Sequence, residues 1–215
     1  MKTYGQYCAL ARGLDLAGDR WTLLIVRELL SRGPSRYADL HRGLPGIATN
    51  LLASRLRDME DAGLVQREEL PRPASAVVIS LTARGAALEG VVREYLKWSA
   101  PMMGPPHPDE SFQAHWLLLP LRALCRDNAP STPAQVVRVG TLDDGCDITA
   151  EDGLIQVTPA AASTPDAIVN GDPGALVALF AGQLPVELAA PLIHGDVEAV
   201  RRVVGGMSAA LAGAR

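Results

Sequence analysis

Ala48-Thr49-Asn50-Leu51-Leu52-Ala53-Ser54-Arg55-Leu56-Arg57-Asp58-Met59-Glu60-Asp61-Ala62-Gly63 is the stretch from which the rest of the chain can be placed. Leu52, Leu56 and Met59 recur at i, i+4 and i+7, which puts apolar side chains on one helix face and so against a core. The same period turns Asn50, Ser54 and Arg57 the opposite way, with Ala53 and Arg55 at the flanks. Thr49 or Ala48 opens the helix, and Gly63 ends it where a left-handed cap is favoured. A charged helix face is ordinarily just solvated. This one combines small residues that permit close approach, an amide able to pair with adenine, and arginines suited to guanine or phosphate. Such a face fits a DNA major groove.

Working outward, Asp19 is placed to cap a helix over Arg20–Arg32, with Trp21, Leu24, Ile25 and Leu29 on one face and Gly33-Pro34 at its end. Ser35 is expected to cap a short helix, Arg36–Arg42, stopped by Gly43-Leu44-Pro45-Gly46. After Gly63, Leu64–Leu70 and Val77–Leu81 read as strands of a hairpin whose tip carries Arg72 and Ser75. Thr82 caps a closing helix, Ala83–Ser99, with Leu88, Val91, Val92, Tyr95 and Leu96 as its apolar stripe. Two helices, a reading helix, a two-stranded wing and a closing helix make a winged helix-turn-helix.

Residues 5–100 resemble the HxlR-type winged-helix transcription regulators, relatives of the MarR group. The resemblance rests on Tyr7-Cys8-Ala9-Leu10, Gly18-Asp19-Arg20-Trp21-Thr22-Leu23-Leu24-Ile25, Arg36-Tyr37-Ala38-Asp39-Leu40, Leu44-Pro45-Gly46-Ile47, Leu56-Arg57 and Glu60-Asp61-Ala62-Gly63-Leu64-Val65. It implies a homodimer on a palindromic operator, with the first and last helices of this region forming the dimer interface. Ala9 stands where members often have Pro after the Cys, and Ala48-Thr49 where Ser-Pro often opens the reading helix. On this reading Arg57, Asn50 and Ser54 meet base edges, with Thr49 beside them, and Ser75 is a further DNA-binding candidate at the wing tip. Arg36, Arg55 and Arg72 hold phosphates of double-stranded DNA. Cys8 occupies a position where some members use a thiol to sense oxidants or electrophiles, and Arg12 at i+4 could favour its thiolate. The alternative for Cys8 is a buried, inert thiol on the first helix.

The chain has 215 residues, 48% of them hydrophobic and 20% charged, with net charge −4, which excludes a disordered polymer. The mean charge hides a division. Residues 1–100 carry 14 Lys+Arg against 11 acids, whereas residues 101–215 carry 6 Arg against 13 acids. Between the halves, Ser99–Glu110 packs four prolines and a glycine into twelve residues and cannot stay helical. We therefore expect a DNA-binding and dimerisation domain over 1–100, a linker over 101–110 and a second domain over 111–215. Apolar runs such as Leu23–Val26 and Ala175–Ala181 are too short to span a membrane. The first residues do not read as a signal peptide, and three scattered cysteines suit a reducing cytoplasm.

In the second domain Ser111–Asp127 reads as an apolar helix kinked at Pro120. Val136–Leu142, Cys146–Thr149 and Leu154–Thr158 form an antiparallel meander around Asp144-Gly145 and Asp152-Gly153, and Ala167–Val169 adds a strand. Asp172 caps a helix opened by Pro173, a short helix follows near Pro185–Ala190, and Asp196–Leu211 closes the chain. The whole is α+β. Asp166-Ala167-Ile168-Val169-Asn170-Gly171-Asp172-Pro173, Leu176–Gly182, Ile193-His194-Gly195-Asp196 and Ala199-Val200-Arg201-Arg202 resemble the sterol-carrier-protein type 2 fold over residues 112–212. That resemblance implies an apolar cavity for a small hydrophobic effector. Trp116, Leu119, Val177 and Phe180 are its candidate lining, or else plain core.

No enzyme is indicated. His41, His107, His115 and His194 show no HxxxH spacing, and there is no phosphate loop or nucleophile elbow, so no cofactor or metal is expected. Nine aromatics in the chain argue against single-stranded nucleic acid, which needs stacking platforms. The expectation is a ligand-responsive, DNA-binding regulator. Its rivals are a switch at Cys8, or a lipid carrier whose first domain only dimerises.

Overall fold

A computed structural model describes residues 3–70 and 76–204. The chain divides within a helix, at Val92/Arg93, into two units.

The first unit runs α1 (Ala9–Ala17), α2 (Thr22–Arg32), α3 (Tyr37–Arg42), α4 (Thr49–Asp61), β1 (Val65–Leu70), β2 (Ala76–Leu81) and α5 (Ala83–Ala86). Ile25, Val26 and Leu29 of α2, Leu40 of α3, and Leu52, Leu56 and Met59 of α4 share a core with Leu64, Val65, Val78 and Ile79. Burial of each large side chain contributes roughly 1.5–3 kcal/mol. α2 begins at Thr22 rather than at the expected Arg20, and Asp19 holds the turn that leads into it: its Oδ1 accepts from the backbone N–H of Trp21 at 2.8 Å and of Thr22 at 3.2 Å. Gly63 has φ +66°, and the amides of Leu64 and Gly63 bond back to the carbonyls of Met59 and Glu60. That pair of bonds is the Schellman termination of α4.

β1 and β2 pair antiparallel from Val65↔Leu81 to Leu70↔Ala76. Ser35 does not cap α3. Its backbone N–H and C=O exchange bonds with Ile79 at 2.9 and 2.8 Å, so the residue gives the wing a third backbone partner, while its hydroxyl turns to the Gly33 carbonyl. The closing helix expected over Ala83–Ser99 is broken at Ala87-Leu88 into α5 and α6 (Glu89–Ser99). Gly85 of α5 is pressed so closely on Leu64 that a Cβ there would lie 1.9 Å from the Leu64 carbonyl oxygen. That close approach, rather than any local helix breaker, accompanies the turn.

The second unit contains 3₁₀ turns over Ala100–Met102, Ala114–Leu117 and Ala190–Leu192, and α7 (Leu118–Leu124), β3 (Gln135–Gly140), β4 (Gly145–Glu151), β5 (Leu154–Pro159), β6 (Ala167–Val169), α8 (Pro173–Phe180), β7 (Ile193–Gly195) and α9 (Val197–Val204). The strands order β5-β4-β3-β6-β7, with β3 and β6 parallel and the other neighbours antiparallel. The meander and β6 match the sequence reading, whereas β7 is additional. The long helix expected over Ser111–Asp127 is instead a 3₁₀ turn followed by α7. Pro120, third in α7, has no N–H to give to the carbonyl four residues back and its ring crowds that carbonyl, so α-helix cannot extend upstream through it. Pro185–Ala190 forms a turn rather than a helix. The closing helix is described as far as Val204.

Register places Val137, Val139, Cys146, Ile148, Val157, Ala167 and Val169 on one buried sheet face. On the other, Arg138 and Asp147 stand directly opposite each other and form a two-pronged ion pair at 2.7 and 2.8 Å. Backbone at Ala161 and Ser163 covers this pair, accepting from Arg138, and the Ala161 N–H donates to Asp147. Cys125 and Cys146 are core residues, and burial pushes both thiols up to about 12.

Candidate nucleic-acid interface

The outward face of α4 follows from the packing of its inward one. With Leu52, Leu56 and Met59 buried, Thr49, Asn50 and Arg57 are exposed and Ser54 is half-buried on the other side. The first turn is tied to α3, since the Tyr37 hydroxyl donates to the Thr49 carbonyl at 2.6 Å and the Tyr37 ring stacks with His41. Arg36 precedes Tyr37 at the N-terminus of α3 and is exposed. Neither Arg36 nor Arg57 has an ion pair among the described residues. Both cations are available to an external anion. Asn50 is exposed, and its Oδ1 accepts from the Leu51 N–H at 2.9 Å.

Arg55 differs from this pattern. Its guanidinium meets Asp58 at 3.0 Å and Asp19 at 3.8 Å. At the far end of α4, Glu60 pairs with Arg67 of β1 at 3.0 Å and so links helix to wing. Gln66, Arg67, Glu68 and Glu69 are exposed along β1. Arg72 and Ser75 lie outside the described residues.

Beneath the interface, α2 holds a fully buried carboxylate. Glu28 accepts from Arg27 at 3.1 and 2.8 Å, and Arg32 approaches it at 3.7 Å. Burial holds the Arg27 guanidinium below its usual range, opposed by attraction to Glu28. The Tyr37 anchor and the Glu28 cluster had no signal in the pattern of the sequence. The Arg55–Asp58 pair did, since i, i+3 charges of opposite sign are helical neighbours.

Cys8 is exposed and stands just before α1 rather than within it, which corrects the buried alternative. Arg12 lies over the Tyr7 ring, 5.6 Å from its centroid. Of the four candidate cavity residues, Leu119 and Phe180 are buried core and Trp116 and Val177 are half-buried. Among the described residues no group of His, Cys, Asp and Glu could hold a metal ion, and no helix is long and apolar enough to cross a membrane.

The helix, corner and helix leading into α4, followed by the wing, define a winged helix-turn-helix of the DNA-binding class. Residues 16–106 match the family model of the HxlR-like helix-turn-helix. An HTH-type transcriptional regulator of Bacillus subtilis, YvaP, is 32% identical over 98 residues, which is 46% of this chain and 90% of that protein. Another from the same organism, YodB, is 35% identical over 40% of this chain and 75% of its own length. The solved reduced form of YodB aligns with 47% of this chain and all of that one at 31% identity, with a TM-score of 0.41. The chain belongs to the HxlR-like helix-turn-helix family, a family of transcriptional regulators that bind DNA and act as dimers. The family match stops at residue 106 and leaves residues 107–215, most of the second unit, outside it.

Proposed function

We propose that this chain is a dimeric regulator that binds a palindromic operator through α4. The observation carrying this reading is the exposed Thr49–Asn50–Arg57 face of a helix whose opposite face is fully packed. Asn50, Ser54 and Arg57 meet base edges in the major groove, with Thr49 at the first turn. Arg36 and the wing tip, with Arg72 and Ser75, hold backbone phosphates. The test is gel-shift binding of the purified chain to its own upstream promoter fragment against competitor DNA at physiological salt. Retention in the nanomolar range that Arg57→Ala weakens by about 1–3 kcal/mol is the expected result. Equal binding to competitor overturns the operator reading for that fragment.

For control, the exposure of Cys8 favours a thiol switch. Hydrogen peroxide would oxidise the Cys8 thiolate to a sulfenic acid, itself being reduced to hydroxide. Release of DNA by peroxide that is absent in Cys8→Ser supports this. Unchanged release in that variant overturns the switch at Cys8; the rival reading, a hydrophobic effector in residues 111–215 (the region resembling a sterol carrier), requires instead a ligand response that Cys8→Ser spares.

A further inference from the structure

Arg55 lies on α4 between two DNA-facing candidates, yet its side chain is only 31% exposed. One terminal nitrogen, Nη2, meets Asp58 at 3.0 Å and the other, Nη1, meets Asp19 at 3.8 Å. Its Nε is enclosed without a hydrogen-bond partner among the described residues, so the guanidinium is held inward along its length. Arg57, two residues on, is exposed and has no such commitment. Asp58 belongs to α4 itself, one turn away, and holds the guanidinium in place.

Asp19 is the more informative partner. Its carboxylate caps α2 through the amides of Trp21 and Thr22 and also accepts from the Thr22 hydroxyl. It follows Gly18, whose N–H closes α1 on the Leu14 carbonyl at 2.8 Å. A Cβ at Gly18 would stand 2.5 Å from that oxygen, so the corner between α1 and α2 is tight. The end of α1, the start of α2 and the middle of α4 thus meet at one carboxylate. Were Arg55 to leave for a DNA phosphate, Asp19 and Asp58 would stay behind as two uncompensated anions beside a polyanion.

We propose that Arg55 is a positioning residue that fixes α4 to the α1–α2 corner through Asp19 and makes no phosphate contact. The role rests on the DNA-binding reading of α4. A planar guanidinium can reach two carboxylates at once, whereas a lysine ammonium is a single point charge. Lysine still serves well as a phosphate ligand. The two roles therefore predict opposite outcomes for Arg55→Lys.

The experiment uses the full chain as wild type, Arg55→Lys, Arg55→Gln, Asp19→Asn and the Arg55→Lys/Asp19→Asn double variant. Asparagine keeps the capping oxygen and removes the charge. The probe is the duplex that the wild type enriches from a random-sequence pool. Expected is about a tenfold loss of specific affinity in Arg55→Lys, with no further loss on adding Asp19→Asn. The slope of log affinity against log salt stays at the wild-type value in Arg55→Gln. Retained affinity in Arg55→Lys, or a slope in Arg55→Gln lower by about one, identifies a phosphate contact and overturns the proposal. Urea unfolding of the same variants without DNA provides a second reading. Non-additive midpoints support the link, and additive midpoints overturn it. A pool that yields no enriched duplex defeats the DNA-binding reading and the positioning role with it, while the urea result still shows whether Arg55 and Asp19 are joined.

Discussion

Gly43 shows how one missing side chain supports the interface. It follows α3 with φ −73°, a conformation any residue can adopt, so its requirement is for space rather than backbone freedom. A Cβ at this position would lie 2.0 Å from Glu28 Oε2 and 2.6 Å from Glu28 Cδ. Glu28 cannot swing away cheaply, because it is buried and bonded to Arg27, which also reaches the Gly43 carbonyl at 3.3 Å. Gly43→Ala is expected to cost about 1–3 kcal/mol, as overpacking does. Urea unfolding checks it, with a lower midpoint and an unchanged m-value. An unchanged midpoint would mean that the Glu28 cluster yields freely. From the sequence, Gly43 reads only as a helix stop and Glu28 as one more charged position. Charged residues are rarely fully buried unless paired, and their pairing across loops leaves no periodic trace. Leu52, Leu56 and Met59 were legible for the opposite reason, since burial on one helix face imposes a period.

Elements in the second unit are joined by ion pairs that leave a pH signature. Arg202 of α9 clasps Asp127, beyond α7, at 2.7 and 2.8 Å, and its remaining donors reach the Pro133 carbonyl and Gln135. The Arg202 bonds, opposed by burial and aided by the amides of Ala129 and Gly153, hold the Asp127 carboxyl at about 2. Asp144 behaves alike: burial works to raise it, but His115 and the amides of Ala114 and His115 prevail and hold it at about 2. Both folded values lie below the ordinary 3.8. The stability they supply is therefore complete above about pH 4 and is lost as pH falls through about 2. Unfolding followed by circular dichroism should show that acid limb. In Asp127→Asn the limb should be shallower, and neutral-pH stability lower by about 3–5 kcal/mol, because Arg202 is left buried without its anion. An acid limb identical to wild type would remove Asp127 from this role. The meander β3–β5 of this unit was legible because the Asp144-Gly145 and Asp152-Gly153 turns punctuate it, whereas β7, three residues long and bounded by no such turn, was not. The break at Ala87-Leu88 was not, because both residues favour helix, and the close approach of Gly85 to Leu64 that accompanies it is a tertiary contact with no periodic trace.

At the scale of the whole molecule, the sequence showed a basic front half and an acidic back half, but apolar stripes carry no label for what covers them. The pattern alone marks the closing helix as apolar on one side, and only the family resemblance assigns that side to a dimer interface. In the structure Val92 is buried, whereas Val91, Tyr95 and Trp98, at i, i+4 and i+7 of α6, are exposed, with the Tyr95 and Trp98 rings edge-on at 5.4 Å. Leu10 and Leu14 of α1 are exposed as well, and Tyr7 before it is 99% exposed. Two apolar helix stripes on one chain are costly in water unless a second surface meets them. In a family that acts as dimers, a two-fold axis can bring identical stripes together, each the complement of the other. Sedimentation should therefore find a dimer, and Tyr95→Glu or Leu10→Glu should give monomers, since a carboxylate would be buried opposite its own copy. A dimer persisting in both variants would exclude α1 and α6 from the interface. The consequence for DNA follows from the same geometry. On the operator reading proposed above, two copies of α4 on one dimer would bind two half-sites as a single event, with the second contact drawn from an effective concentration rather than from solution. A monomeric Tyr95→Glu should thus lose about 10²–10⁴-fold in operator affinity while keeping its weak binding to unrelated duplex, because nothing on α4 has changed.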